Sequence, residues 1–171
     1  PQWAQAGGRK DLLKRIEDPK TRQLLIDGIV QRILFDRGGG HPKNIFISKN
    51  TWDTSMEGKN LADLCLERGL EVTPTNAALI VFEIIKGGGA SAVYHAINSN
   101  DVDEIMQHPM TSIASDGPLT VFNEGAPHPR TYGTFARVLG RYVRERNILT
   151  LEEAIRKMTS LPASVLSIKK R

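Results

Sequence analysis

The chain has 171 residues, 40% of them hydrophobic and 25% charged, which is the composition of one ordinary globular domain with a real core. Its formal charge is only +4, from 23 basic and 19 acidic residues, and aromatics make up 6%. The basic residues are scattered and do not interleave with aromatics, so no nucleic-acid partner is expected. No apolar run approaches the roughly 20 residues of a membrane span, and no membrane partner is expected. A single cysteine, Cys65, excludes an intrachain disulfide and a thiolate metal cluster, and its apolar helical setting reads as a buried small side chain.

Taken in order, Asp11 to Glu17 reads as a helix with Leu12, Leu13 and Ile16 on one side. Asp18-Pro19 restarts a helix, with Asp18 as N-cap and Pro19 at the first helical position. Leu25, Ile26, Ile29, Val30 and Ile33 give the second helix its apolar stripe, and Gly38-Gly39-Gly40 ends it. Asn44-Ile45-Phe46-Ile47-Ser48 is the first strand candidate. Helices are predicted from Asn60 to Arg68 and from Thr75 to Lys86, the second closed by Gly87-Gly88-Gly89. Ala92 to Ile97 is the second strand candidate. A short helix from Asp101 to Gln107 follows and is stopped by Pro109. Thr111-Ser112-Ile113-Ala114 is the third strand candidate. Phe135, Val138, Leu139, Tyr142 and Val143 then recur at helical spacing. Thr150-Leu151-Glu152-Glu153 reads as a capping box that opens a last major helix.

Strands alternating with helices predict an α/β fold with parallel pairing. Three strands cannot close an eight-stranded barrel, so the expectation from the pattern is the last strand–helix units of a larger barrel, helix-rich and with few parallel strands. Residues 1–43 read as an inserted helical segment and residues 44–171 as the last strand–helix units. Pro1-Gln2-Trp3 opens no secretory leader and the chain lacks an initiator Met, which predicts a piece of a longer polypeptide.

Two features carry chemistry. The third strand candidate delivers Ser115-Asp116-Gly117 to a turn, and the loop beyond it carries His128-Pro129-Arg130 into a helix. A carboxylate at a strand end beside a guanidinium on the next loop is how a barrel enzyme pairs a proton-transfer group with an anion clamp. The same Asp116 would also suit an ordinary turn before glycine. The four histidines form no HxH, HxxxH or HExxH spacing, so no zinc site is encoded locally. His95, on a strand, faces either a barrel lumen or the helical layer. His128 sits in the Asp116–Arg130 loop. Both are candidate substrate-binding residues.

The run Ser115-Asp116-Gly117 … Pro127-His128-Pro129-Arg130-Thr131-Tyr132-Gly133-Thr134-Phe135, continuing through Arg137-Val138-Leu139-Gly140-Arg141, closely resembles the C-terminal region of the N-acyl-D-amino-acid deacylases (D-aminoacylases), zinc enzymes of the amidohydrolase superfamily. Leu151 to Thr159, Asp18 to Arg22, Glu57 to Ala62 and Gly87 to Tyr94 fit the same family in order. The resemblance implies an α/β fold that is the C-terminal portion of a (β/α)8 TIM-like metallo-hydrolase barrel, and hydrolysis of the amide bond of N-acyl-D-amino acids, with a small-molecule substrate; a cytoplasmic location is the accompanying expectation. Asp116 falls on the family's catalytic aspartate, a proton shuttle and possible metal ligand. Arg130 falls on the arginine that binds the substrate carboxylate. The family's other zinc ligands have no counterpart in this chain, so the isolated chain is expected to be inactive, and to self-associate or require the missing barrel segment. The Asp116–Arg130 loop is a few residues longer than in the smaller deacylases. A cyclic-amide hydrolase of the dihydroorotase or hydantoinase kind, and a non-catalytic binding or assembly module, remain as alternatives.

Overall fold

The computed structural model describes residues 2–121 and 123–169, so Phe122 and the end of the basic Lys169-Lys170-Arg171 tail lie outside the described residues. The chain divides into two compact units, one formed by residues 1–96 with 123–127 and the other by residues 97–122 with 128–171.

The first unit opens with three helices, α1 (Gln2–Gln5), α2 (Gly8–Glu17) and α3 (Pro19–Phe35). The break between α2 and α3 has the chemistry expected of it. Pro19 occupies the first turn of α3, and the Asp18 carboxylate accepts the Thr21 N–H at 2.9 Å and the Thr21 hydroxyl at 2.8 Å. Those bonds to Thr21 hold the Asp18 carboxyl below its usual range. Strand β1 (Ile45–Lys49) follows, then α4 (Leu61–Glu67), α5 (Pro74–Gly87) and β2 (Ser91–Tyr94). At α4 the capping box is complete. Asn60 Oδ1 accepts from the N–H groups of Ala62 and Asp63, and the Asp63 carboxylate accepts from the Asn60 N–H.

Strands β1 and β2 pair antiparallel, with Ile45 opposite Tyr94, Phe46 opposite Val93 and Ile47 opposite Ala92. This corrects the expected parallel strands. One intervening helix returns a chain for a parallel neighbour, but here two helices, α4 and α5, lie between the strands, and an even number of traverses brings the chain back in the opposite sense. The second strand is also shorter than expected and leaves His95 just beyond its end.

Helix α5 is apolar around most of its circumference, the mark of a helix buried on several sides. Ala77, Ile80 and Ile84 join Ile33, Ile45, Ile47, Met56, Leu61, Leu64 and Cys65 in one cluster. Ala78 and Phe82 join Ala4, Ile16, Leu25 and Ile26 in another. Cys65 is fully buried there, as its setting predicted, and burial pushes its thiol pKa up. Residues 123–127 belong to this unit. The Ala126 N–H donates to Ser48 O at 2.7 Å, and Glu124 pairs with Lys49 at 3.1 Å.

The second unit contains α6 (Ser99–Gln107), α7 (Arg130–Arg137), a π-helical continuation over Val138–Glu145, α8 (Leu151–Met158) and α9 (Ser160–Val165). Val138, Leu149 and Ala154 form its buried centre, with Met106, Ile113, Leu139, Val143, Ile148 and Met158 packed around them. Asp103 on α6 and Arg146, just past the π-helical stretch, are joined by a two-pronged ion pair. The third strand candidate is corrected. Thr111–Ala114 has no regular structure and belongs to no ladder among the described residues, and the Ile113 N–H donates instead to Lys157 O on α8, at 3.0 Å. The capping box predicted at Thr150 is half formed. The Thr150 hydroxyl accepts the Glu153 N–H at 3.2 Å, while the Glu153 carboxylate turns forward to Arg156.

Candidate active site

Two chain segments build the site within the second unit. The first leaves α6 after Gln107, turns at Pro109, which cannot continue the helix, and runs without regular structure to Asp116. The second is the start of α7. Here His128 acts as a cap. Its Nδ1 accepts the Arg130 N–H at 3.1 Å, and its carbonyl accepts the Thr131 N–H at 2.9 Å. These bonds satisfy amide groups that a helix start leaves without intrahelical partners.

Ser115 joins the segments. Its Oγ lies 3.1 Å from Arg130 O, 3.2 Å from Thr134 Oγ1 and 3.2 Å from the Gly117 N–H. Gly117 makes the close approach possible. A Cβ at this position would stand 2.8 Å from Thr131 Cα and 2.9 Å from Arg130 O. The glycine of the Ser-Asp-Gly triplet is therefore a requirement of space. Farther along the loop, Thr120 and Tyr132 share a hydroxyl–hydroxyl hydrogen bond of 2.8 Å.

This framework brings together the two leading candidates. Asp116 Oδ1 and Arg130 Nε lie 3.0 Å apart, and the Asp116 side chain is 79% exposed against 43% for Arg130. The carboxylate thus faces solvent. A guanidinium carries five donors, enough to hold Asp116 along one edge and a second carboxylate along another.

His95 belongs to the first unit. It is exposed, its N–H donates to Asn44 O at 2.8 Å, and its ring meets Phe46 edge-on with centroids 5.1 Å apart. The structure therefore gives both histidines local partners, His95 in the first unit and His128 at the start of α7.

Lys157 was not singled out by the sequence. It is fully buried, and its Nζ donates to the carbonyls of His108 and Thr111. A signal was available: Lys157 follows Ala154 at i+3 on α8, so the lysine shares a face with an apolar residue, and both are buried.

Among the described residues, no group of three or more histidine, cysteine, aspartate or glutamate side chains is arranged to hold a metal ion. Asp116 offers one carboxylate, and Arg130 lies against it. The described residues do not by themselves fit a zinc site. Among the described residues, no helix is long and apolar enough to cross a membrane.

Comparison with known proteins agrees with the motif reading. No family model matches the chain. An N-acyl-D-glutamate deacylase of Alcaligenes xylosoxydans xylosoxydans is 40% identical over 124 residues, covering 71% of this chain and 23% of the deacylase. An N-acyl-D-aspartate deacylase of the same organism is 36% identical over 115 residues, covering 67% of this chain and 21% of that protein. Among solved structures, the N-acyl-D-glutamate deacylase of Bordetella bronchiseptica, complexed with zinc and a phosphonate mimic of the tetrahedral intermediate, superposes with a TM-score of 0.63. It is 36% identical, over 84% of this chain and 27% of that one. A D-aminoacylase at 24% identity, with a TM-score of 0.59 over 85% of this chain and 33% of that one, shares the fold. The chain spans less than a quarter of the length of the curated relatives it matches. In sequence and in fold, it belongs to the N-acyl-D-amino-acid deacylases, which it matches over one part of their length.

Proposed function

We propose that this chain is the closing part of a (β/α)8 hydrolase barrel that cleaves the amide bond of N-acyl-D-amino acids, with residues 1–43 an inserted helical segment and residues 44–171 the last strand–helix units. The observation that carries the reading is the exposed Asp116–Arg130 pair, on motif positions of a deacylase family and held in register by Ser115 and Gly117. A zinc ion of the kind named with the solved relative would have to be held mainly by residues beyond the described ones, with Asp116 as one candidate ligand, and would supply Lewis-acid and water-activating chemistry.

The chain's own residues bind, orient and move a proton. Arg130 holds the substrate α-carboxylate through two parallel N–H···O bonds, which lysine cannot reproduce. Asp116 accepts a proton from the attacking water and returns it to the leaving amine nitrogen. The clamp fixes where the amide lies relative to Asp116, which favours one stereochemistry at the α-carbon. His128 supports the clamp from behind by capping the helix that begins at Arg130, and His95 stands as a further candidate for contact with substrate.

The test is hydrolysis of N-acetyl-D-amino acids by the full-length protein, with D-glutamate and D-aspartate derivatives first because the relatives carry those names. Dihydroorotate and hydantoin serve as competing substrates. Asp116→Asn should lower kcat by about 100-fold or more, the scale of a lost general acid–base group. Arg130→Lys should lower kcat/KM by about tenfold or more, roughly 1.4 kcal/mol. An Asp116→Asn enzyme with near-normal turnover refutes the assignment, as does a preference for the cyclic amides.

A further inference from the structure

We propose that Lys157 is a positioning residue for Asp116, its buried ammonium group fixing the backbone that delivers the carboxylate to Arg130. The proposal rests on the function proposed above and adds a residue to that site. The segment from His108 to Ala114 bends at His108, turns through Pro109 and Met110 with one internal bond from the Thr111 N–H to His108 O, and continues with no helix or β-ladder among the described residues. Its other backbone groups must find partners elsewhere. Two successive residues of α8 provide them. Lys157 Nζ donates to His108 O and, at 3.2 Å, to Thr111 O. Arg156 Nη2 donates to Pro109 O at 2.6 Å. The Lys157 carbonyl accepts the Ile113 N–H at 3.0 Å. One helical turn thereby holds residues 108, 109, 111 and 113.

Packing alone does not account for a lysine here. Its side chain is fully buried beside Ala154, where methionine would fill similar space without the cost of desolvating an amine. The amine is retained among two carbonyls and the Glu153 carboxylate, whose Oε1 lies 3.7 Å away. Downstream, Ser115 fastens the same segment to the start of α7. Only Ala114 separates the last α8 bond, at Ile113, from the first α7 bond, at Ser115. Asp116 therefore projects from a span fixed on both sides, and the α8 side depends on Lys157.

Lys157→Met and Arg156→Gln test this in the full-length protein, with Asp116→Asn alongside. Lys157→Met keeps the volume and removes the donors, while Arg156→Gln alters a partly exposed residue and so protects the test against a misfolded core variant. Positioning predicts that kcat per folded molecule falls about tenfold or more for Lys157→Met and less for Arg156→Gln, with KM within about twofold in each, because a displacement near 1 Å is enough to slow a reaction severely. Amide exchange at Ile113 and Gly117 should quicken in both variants. A purely structural lysine would lower the melting temperature and leave kcat per folded molecule unchanged, and that result overturns the proposal while leaving Asp116 in place. Unimpaired turnover in Asp116→Asn overturns the proposed function itself, and this inference with it.

Discussion

Replacing Gly117 by alanine tests whether the approach between the Asp116 segment and α7 is as tight as the geometry requires. Gly117 is not in the left-handed region, so alanine carries no backbone penalty and the cost is one of space alone. The new methyl would stand 2.8 Å from Thr131 Cα and 2.9 Å from Arg130 O, against 3.4–4 Å for ordinary contacts. Both obstacles are backbone atoms and cannot rotate away, so the two segments must part by roughly half an ångström or more, at an overpacking cost of about 1–3 kcal/mol. The Ser115 Oγ bonds, at 3.1 Å and 3.2 Å, would stretch past useful length, and the Asp116–Arg130 pair would open with them. A shift of about 1 Å can cost about 100-fold in rate, so roughly tenfold in kcat/KM is expected for this smaller one. Thermal unfolding and steady-state kinetics on the full-length protein read the two effects together. A Gly117→Ala protein that melts and turns over as the wild type does, within about twofold, would show that the close approach plays no part in the site.

Leu64 is fully buried in the first unit's main cluster, so Leu64→Ala should destabilise that unit by about 2–5 kcal/mol in denaturant unfolding. A loss under about 1 kcal/mol would contradict the packing described. Hydrogen bonds from Arg156 hold the Glu153 carboxyl below its ordinary range. Its folded pKa therefore lies below its unfolded one, so its contribution to stability is present above the ordinary glutamate range and fades as pH falls through the folded value. Melting curves at decreasing pH should show a weaker acid destabilisation in Glu153→Gln than in wild type, and parallel curves would dismiss the link. The 171-residue chain by itself should neither hydrolyse N-acetyl-D-amino acids nor retain zinc against a chelator. Metal analysis after dialysis checks this, and stoichiometric zinc would contradict it.

The helices were largely legible because their starts are written in adjacent residues. Asp18-Pro19 caps by local bonds that no distant contact has to supply, whereas the helix expected from Thr75 begins one residue earlier, at Pro74, with Thr73 as its cap. Strand direction was not legible in the same way. Ile45–Lys49 has the same apolar pattern whichever way its neighbour runs, and the direction of β2 depended on α4 and α5 forming two traverses. Thr111–Ala114 has the composition of a strand but finds its backbone partner on α8, a contact more than 40 residues away in the chain. Glu153 satisfied the capping-box spacing, yet Arg156 offered its carboxylate two charge-assisted bonds against the single amide of a cap. Asp116 and Arg130 were legible as a pair through the family motif. The groups that hold them, Ser115 Oγ and Lys157 Nζ, became visible only when the folded chain put them beside carbonyls distant in sequence.

The placement of Asn123–Pro127 with the first unit has a consequence for anyone who would dissect this protein. The polypeptide passes between the two units three times, so that each is discontinuous in the chain. A single cleavage near Ile97 yields no autonomous halves, since the C-terminal product carries away the short strap whose Ala126 is tied to Ser48. Truncation, fusion or exchange of one unit for a homologous one must therefore move the strap together with β1 and not with the residues on either side of it.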